Sequence, residues 1–305
     1  MDGPQGSFGR AIPVLIFGAC AIAFAPVFVR LAGAGPAAAG FWRLTLALPA
    51  LGVLTAINAK GGMASAARPS PLTLLAGVFF ALDLGFWHYG IKLTTVANAT
   101  ILANLSPLFV TAGAWLLLRE RPARGFLLGL VLALGGVRLI AAAHGAGVGI
   151  DPRLGDGLSV ATSAWYGAYL LTVRQARAGR TATEVMFWSS LVGAPLLLAA
   201  AFVLHEQVLP GSAAGWAACA GLGVVHLAGQ GSIAWALGRT PAAVASVIVL
   251  VQPVLAAGLG WLIFHESMTT LQIAGGAAAL SGVALAQIAA ARQARAGLPA
   301  DGLAG

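Results

Sequence analysis

Charge is what this chain has least of: Asp, Glu, Lys and Arg together make up 9% of its 305 residues, against about 25% in an ordinary soluble domain. With 59% of the residues hydrophobic, too little polar surface is left to clothe a water-soluble globule. Cysteine is almost missing as well. Cys20 and Cys219 both fall in apolar runs, which argues against a disulfide framework and for ordinary packing. Catalytic signatures are lacking: there is no nucleophile elbow, no HExxH, no P-loop and no pair of carboxylates spaced for acid–base work. The glycines of GAGVGI, residues 145–150, follow no strand and match a phosphate loop only weakly. An enzyme is not expected, nor a metal or an organic cofactor.

Long apolar runs fill the space that charge leaves. Ten are counted, at 11–31, 37–58, 71–91, 95–118, 124–143, 154–174, 183–204, 214–237, 242–264 and 270–291, each near the ~20 residues a helix needs to cross a bilayer. The runs are continuously apolar and rich in Ala, Leu and Gly, whereas barrel strands would be about ten residues long and would alternate. The expected fold is an all-α polytopic membrane protein of ten transmembrane helices, with the lipid bilayer as its surroundings.

The net charge of +8 does not mark a nucleic-acid partner, because the basic residues neither line one amphipathic face nor interleave with aromatics. They sit between the helices. With the N-terminus inside, twelve of the seventeen Lys and Arg fall on the inner side, leaving Arg30, Arg43, Lys92, Arg138 and Arg153. That bias predicts cytoplasmic N and C termini by the positive-inside rule. The opening MDGPQGSFGR lacks a basic n-region, so no cleaved signal peptide is expected.

One offset aligns the two halves of the chain. Shifting Phe41, Trp42 and Pro49 by 146 positions gives Phe187, Trp188 and Pro195, and the same shift carries Pro107 to Pro253, Trp115 to Trp261 and Glu120 to Glu266. Gly77, Gly129 and Gly136 likewise reappear as Gly223, Gly275 and Gly282. Five spans per half is an odd number, so the second copy enters from the other face and the repeats are inverted, an architecture of secondary transporters with the binding site near the midplane. The expected units are residues 1–10 as a cytoplasmic tail, 11–146 and 147–292 as the two five-helix repeats, and 293–305 as a second cytoplasmic tail. Gly125-x-x-x-Gly129 with Gly135 and Gly136 suits close helix packing.

Ionisable groups inside a bilayer are expensive, about 3 kcal/mol or more at a helix centre, and are candidates for function by default. Arg43 and Asp83 lie in the second and third runs, both roughly 10 Å below the outer surface at ~1.5 Å per residue. They are expected partners, either locking two helices together or offering Arg43 to a substrate carboxylate that competes with Asp83. His88 is a proton-relay candidate or a solvated histidine at a helix end, and Arg138 is expected to snorkel. At the shifted positions stand Ser189, Gly229, Ala234 and Ala284, so the repeat is symmetric in shape and asymmetric in charge. His226 and Gln230 share one face of the eighth run, suited either to a helix–helix hydrogen bond or to cavity lining. Trp165, Tyr166 and Tyr169 are either interfacial anchors or, with Asn98, Asn104 and Gln252, the lining of an amphipathic cavity. Pro107 and Pro253 are expected to kink their helices. Glu120 and Glu266 end their runs where a carboxylate can face the amides of the following helix, as a cap, a hinge or a gate, with Thr269 and Gln272 as a capping box.

The stretches VFVRLAGAGPAAAGFWRLTLALPAL and NLSPLFVTAGAWLLLRERPARGFLLGLVLALGGVRLI resemble the first-half signatures of the EamA-type family of the drug/metabolite transporter superfamily. VLVQPVLAAGLGWLIFHESMTTLQIAGGAAALSGVALA resembles the second-half signature. The most specific element is the spacing from Pro107 to Glu120, repeated from Pro253 to Glu266. The resemblance implies a ten-helix transporter of the inner membrane that exports amino acids or other small metabolites by alternating access. It further implies a cavity lined by the first, third, fourth, sixth, eighth and ninth helices, with the fifth and tenth peripheral, and a basic residue at the position of Arg43. The expectation is thus export of a small polar metabolite, with the proton as a coupling ion. A passive facilitator and a non-transporting scaffold or receptor stand as alternatives.

Overall fold

A computed structural model of the chain describes residues 4–58, 68–118, 124–143, 149–177, 179–237 and 248–296. Among them there is no strand. The first half contains α1 (Pro4–Ala23), α2 (Ala25–Leu31), α3 (Pro36–Asn58), α4 (Pro71–Leu93), α5 (Val96–Ala103), α6 (Ser106–Leu118) and α7 (Arg124–Ala142). The second contains α8 (Pro152–Ala176), α9 (Ala182–Val203), α10 (Ala213–Val224), a π-helical turn (Val225–Gln230), α11 (Gly231–Leu237), α12 (Val251–Phe264) and α13 (Thr270–Ala296). Seven stretches among the described residues are long and apolar enough to cross a membrane. The chain is a multi-pass membrane protein.

Local chemistry sets the helix starts. Ser70 and Thr73 form a capping box at α4 and Thr181 and Glu184 another at α9, each satisfying amide groups that have no partner within the helix. At α13 the Thr269 amide donates to Gln272 at 2.9 Å and the Gln272 amide to Thr269 at 3.2 Å. Asp151 and Ser212 cap α8 and α10 through side-chain oxygens.

Four of the expected spans are not one continuous α-helix, the first being the run 11–31, divided at Phe24 between α1 and α2. The run 95–118 breaks between α5 and α6 at Asn104 and Leu105, so Pro107 opens α6 instead of kinking a longer helix. Leu250 is the N-cap of α12, which puts Pro253 in its first turn. The physical reason is the same twice: proline lacks an amide hydrogen and its ring clashes with the carbonyl four residues back, which a first helical turn does not have. The run 214–237 is divided by the π turn, which the sequence reading did not anticipate. Residues 238–247, and with them the start of the run 242–264, lie outside the described residues, as does Glu120.

Small residues bring the helices together. α7 and α13 run antiparallel, with Gly129 against Gly282 and Gly136 against Gly275; a methyl group at any of the four would overlap partner backbone. Gly77 of α4 lies against Val192 of α9, and Gly223 of α10 against Leu46 of α3. Each of these pairings maps onto its mate when positions are shifted by 146. The apolar core gathers around Leu44, Phe80, Leu84, Ile91, Leu197 and Leu222. Large hydrophobic side chains such as Leu116, Leu128, Val131 and Trp261 point outwards, as a lipid-facing surface requires.

The helix directions define two ends. One carries Arg30, the start of α3 and the ends of α4, α9 and α12. The other carries Asn58, Arg177 and the starts of α4 and α9.

Candidate functional site

Both helix breaks face one cavity. It has a volume of about 330 Å³, and its wall includes Asn104, Ser106 and Pro107 from the first break and Val249, Leu250 and Gln252 from the second. At the end of α5 the Asn104 side chain donates to the carbonyl of Thr100 at 2.8 Å, holding the last turn closed. Pro107 and Pro253, in the first turns of α6 and α12, carry no amide hydrogen, and the Leu108 amide is taken by the carbonyl of Leu105 at 2.9 Å. Helix N-termini carry partial positive charge and suit anionic groups, as do the broken helices of other carriers.

Arg43 and Asp83 share the same wall, with Trp87, Tyr166 and Gln230. Arg43 is 1% exposed, and its Nε and Nη1 have no hydrogen-bond partner. Its guanidinium carbon lies 5.7 Å from the centre of the Trp87 ring, a cation–π arrangement that partly offsets burial of the charge. Among the described residues Arg43 and Asp83 form no ion pair within 4.0 Å. The lock expected of them is therefore not made, and both side chains line one cavity.

A second cavity of about 310 Å³ adjoins the first along Tyr166, Leu170, Gln230 and Ile233 and reaches Arg177 and Ala182 at the Arg177 end. Tyr169 and His226 line it. Its wall carries a ladder of rings: Tyr166 on Tyr169 at 5.8 Å, Tyr169 on Phe80 at 4.8 Å and Phe80 on His226 at 5.4 Å. The π turn holds His226 there, with Nε2 at 3.1 Å from the Ser190 hydroxyl and Nδ1 buried without a partner. Such turns occur often at functional sites.

Other residues singled out from the sequence lie elsewhere. His88 is fully buried and not solvated, with Nδ1 at 3.0 Å from the carbonyl of Pro36. Asn98 is buried in the first turn of α5, its side chain at 3.5 Å from Asp156, which also accepts from Thr94 at 2.8 Å. Trp165 packs between Phe79 and Phe86, at 6.3 and 6.1 Å. Pro253 is buried in α12, off the cavity wall. Arg138 is exposed on α7.

Glu266 does not cap the helix that follows it; Thr269 does that. Its carboxylate accepts instead from the amide of Val96, at the start of α5, and pairs with Arg30 at 2.5 Å.

Several wall residues went unread in the sequence. Thr100, Ser106 and Thr162 are small hydroxyls in apolar runs, and Gln287 comes from α13, in the span that the family resemblance made peripheral. Gln287 is a lone amide in an apolar stretch, and that was the available signal. No residue of α7 lies on the wall of either cavity.

The comparisons with known proteins come to the same architecture. A crystal structure superposes with a TM-score of 0.65 over 93% of this chain and 99% of the other, at 21% identity, a likeness of fold. The pseudopaline exporter CntI of Pseudomonas aeruginosa is 29% identical over 218 residues, covering 71% of this chain and 75% of its own. An uncharacterized transporter of Archaeoglobus fulgidus is 26% identical over 281 residues, 92% of this chain and 96% of its own. The EamA-like transporter family matches twice, over residues 9–142 and over residues 153–287. Apolar helices and two halves matched by one family agree in this: the chain belongs to the EamA-like transporter family.

Proposed function

We propose that this chain is a secondary transporter that exports small polar metabolites, amino acids or their derivatives, from the cytoplasm across the inner membrane. It works by alternating access and catalyses no reaction. The observation that carries the reading is Arg43: a buried guanidinium with two unpartnered nitrogens in a cavity where two half-helices begin. A substrate carboxylate satisfies the unpartnered nitrogens of Arg43, a charge-assisted bond. Asp83, on the same wall, takes an ammonium group. Gln230, Gln252 and Asn104 supply neutral hydrogen bonds, and Tyr166 borders the route towards the Arg177 end. The relative named as a pseudopaline exporter supports export over import.

The architecture that goes with this function is ten spans in two inverted five-helix repeats, 11–146 and 147–292, with both termini cytoplasmic. Support comes from the two family matches and from the contacts that map onto one another under the shift of 146 positions. In that orientation the Arg30 end is outer and the second cavity opens to the cytoplasm.

The test is flux in proteoliposomes against a panel of amino acids and related metabolites, with and without an imposed pH gradient. Gradient-driven accumulation identifies a proton-coupled carrier. Equilibration without accumulation identifies a facilitator, and no flux of any candidate under either condition overturns the transporter reading.

A further inference from the structure

At the Arg30 end, away from both cavities, two dipeptides do the same thing. His205-Glu206 follows α9 and His265-Glu266 ends α12. Each histidine is in the left-handed region, with φ of 52° and 56°, and among the described residues these are the only non-glycine residues with positive φ. That conformation is uncommon for a residue with a β-carbon and is often found where function requires it. It ends the helix and turns the next side chain back across the protein.

Each glutamate then crosses from the second half of the chain to the first. Glu206 accepts from the amides of Ala37 and Ala38, at 3.2 and 2.9 Å, at the start of α3. The Tyr89 hydroxyl donates to the same carboxylate. Glu266 accepts from the amide of Val96 at 2.9 Å, at the start of α5, and pairs with Arg30. The Arg30 guanidinium also donates to the carbonyls of Ile91 and Thr94, at 3.0 and 2.6 Å, at the end of α4. Each carboxylate sits over a glycine, Gly35 under Glu206 and Gly260 under Glu266; a methyl group on either would overlap it.

We infer that Glu206 and Glu266 are the two points of a latch that holds the Arg30 end shut, and that their release from the starts of α3 and α5 opens the central cavity to that end. The inference rests on the alternating-access reading. Its chemistry suits a reversible closure: a carboxylate on a helix N-terminus is held by charge and by amide geometry without covalent or apolar contact, and water can replace every bond when the ends part. Both points join the same two halves of the chain at the same end. The cavities meanwhile extend towards Arg177, the end that a closed latch leaves accessible.

The test reads cavity access and needs no known substrate. In a background of Cys20→Ser and Cys219→Ala, a reporter cysteine at Ala103, on the cavity wall, is labelled with a membrane-impermeant maleimide in right-side-out and inverted vesicles. A separate Leu209→Cys protein, in the loop after α9, identifies which vesicles expose the Arg30 end. Glu206→Gln with Glu266→Gln is expected to raise labelling of the reporter from the Arg30 end about tenfold, the population shift of a weakened closed state.

An unchanged labelling rate in a double variant that melts near the parent temperature overturns the latch. Should that variant not fold, Arg30→Cys with Glu266→Cys decides instead. Bridging the pair by oxidation should abolish reporter labelling from the Arg30 end and reduction should restore it; labelling indifferent to the bridge overturns the proposal. Because labelling does not depend on flux, a latch that opens in a protein that moves no metabolite leaves this inference standing and the proposed function fallen.

Discussion

Asn104 and Leu250 stand 146 positions apart and occupy one structural role: each immediately precedes or caps a break, and the half-helix beyond it begins on the wall of one cavity. Neither position carries charge. The charge is delivered by Arg43 from α3 and Asp83 from α4, which have no charged mates at the shifted positions. The scaffold of this cavity is thus repeated in the two halves, and its charges are not.

Arg43→Ala should lower the initial rate of metabolite flux in proteoliposomes by at least about tenfold, the scale of one lost charge-assisted bond. Arg43→Lys should fall between Ala and the parent, because lysine keeps the charge and loses the planar fork. Asp83→Asn should weaken zwitterions and leave anions lacking an ammonium group nearly unaffected. Equal flux in all four proteins would remove this cavity from consideration as the site.

The α7/α13 seam offers a contrast of sign. Gly136→Ala puts a methyl group into the backbone of α13 and should destabilise by about 1–3 kcal/mol, as overpacking does. Gly135, its neighbour, has open space where a β-carbon would go, so Gly135→Ala should be neutral or stabilise by up to about 1 kcal/mol through helix propensity. Thermal unfolding in detergent micelles measures both.

Gly35→Ala should act at a distance from the cavity. By displacing Glu206 from the start of α3, it should raise cavity labelling in the direction expected of the Glu206→Gln and Glu266→Gln double variant, while every charged group remains in place. The maleimide assay with the Ala103 reporter compares the two directly.

Ser190→Ala leaves both ring nitrogens of His226 buried without a partner, since Nδ1 already has none. The expected cost is about 1–3 kcal/mol, the penalty of a buried polar group unsatisfied. Ser190→Thr keeps a hydroxyl and should recover part of the loss in the same unfolding measurement.

The helices were legible in the sequence because apolar composition acts over twenty residues at once and tolerates no alternative in a bilayer. The breaks were half legible. Pro107 and Pro253 announced an irregularity, but a kink inside a helix and a fresh helix start differ only in which carbonyls lie upstream, and that is decided by tertiary packing.

Arg43 and Asp83 could be read because each is a lone charge in a long apolar run. Arg30, Glu206 and Glu266 lie near the ends of runs, where charges are ordinarily solvated, and their partners are far away in sequence: Ala37 and Glu206 are 169 positions apart. No local pattern encodes such a pair. His88 was misplaced for the converse reason, since proximity to a helix end suggested water where α3 in fact covers it.

The π turn at Val225–Gln230 has a consequence for reading related chains. A π turn holds about one residue more than the α turn it replaces, so deleting a single residue there would restore a regular helix. Forcing all six of its residues into α geometry with no deletion would instead rotate everything from Gly231 to Leu237 by about 100° relative to α10. Gly229 would lose its seat against Gly18 and Ile22, and Gln230 its place between the two cavities. An alignment that pairs this segment with an unbroken helix must carry a one-residue gap in mid-membrane, where gaps are usually forbidden. A homologue aligned without that gap would have the residues of this segment assigned to the wrong face from that point on.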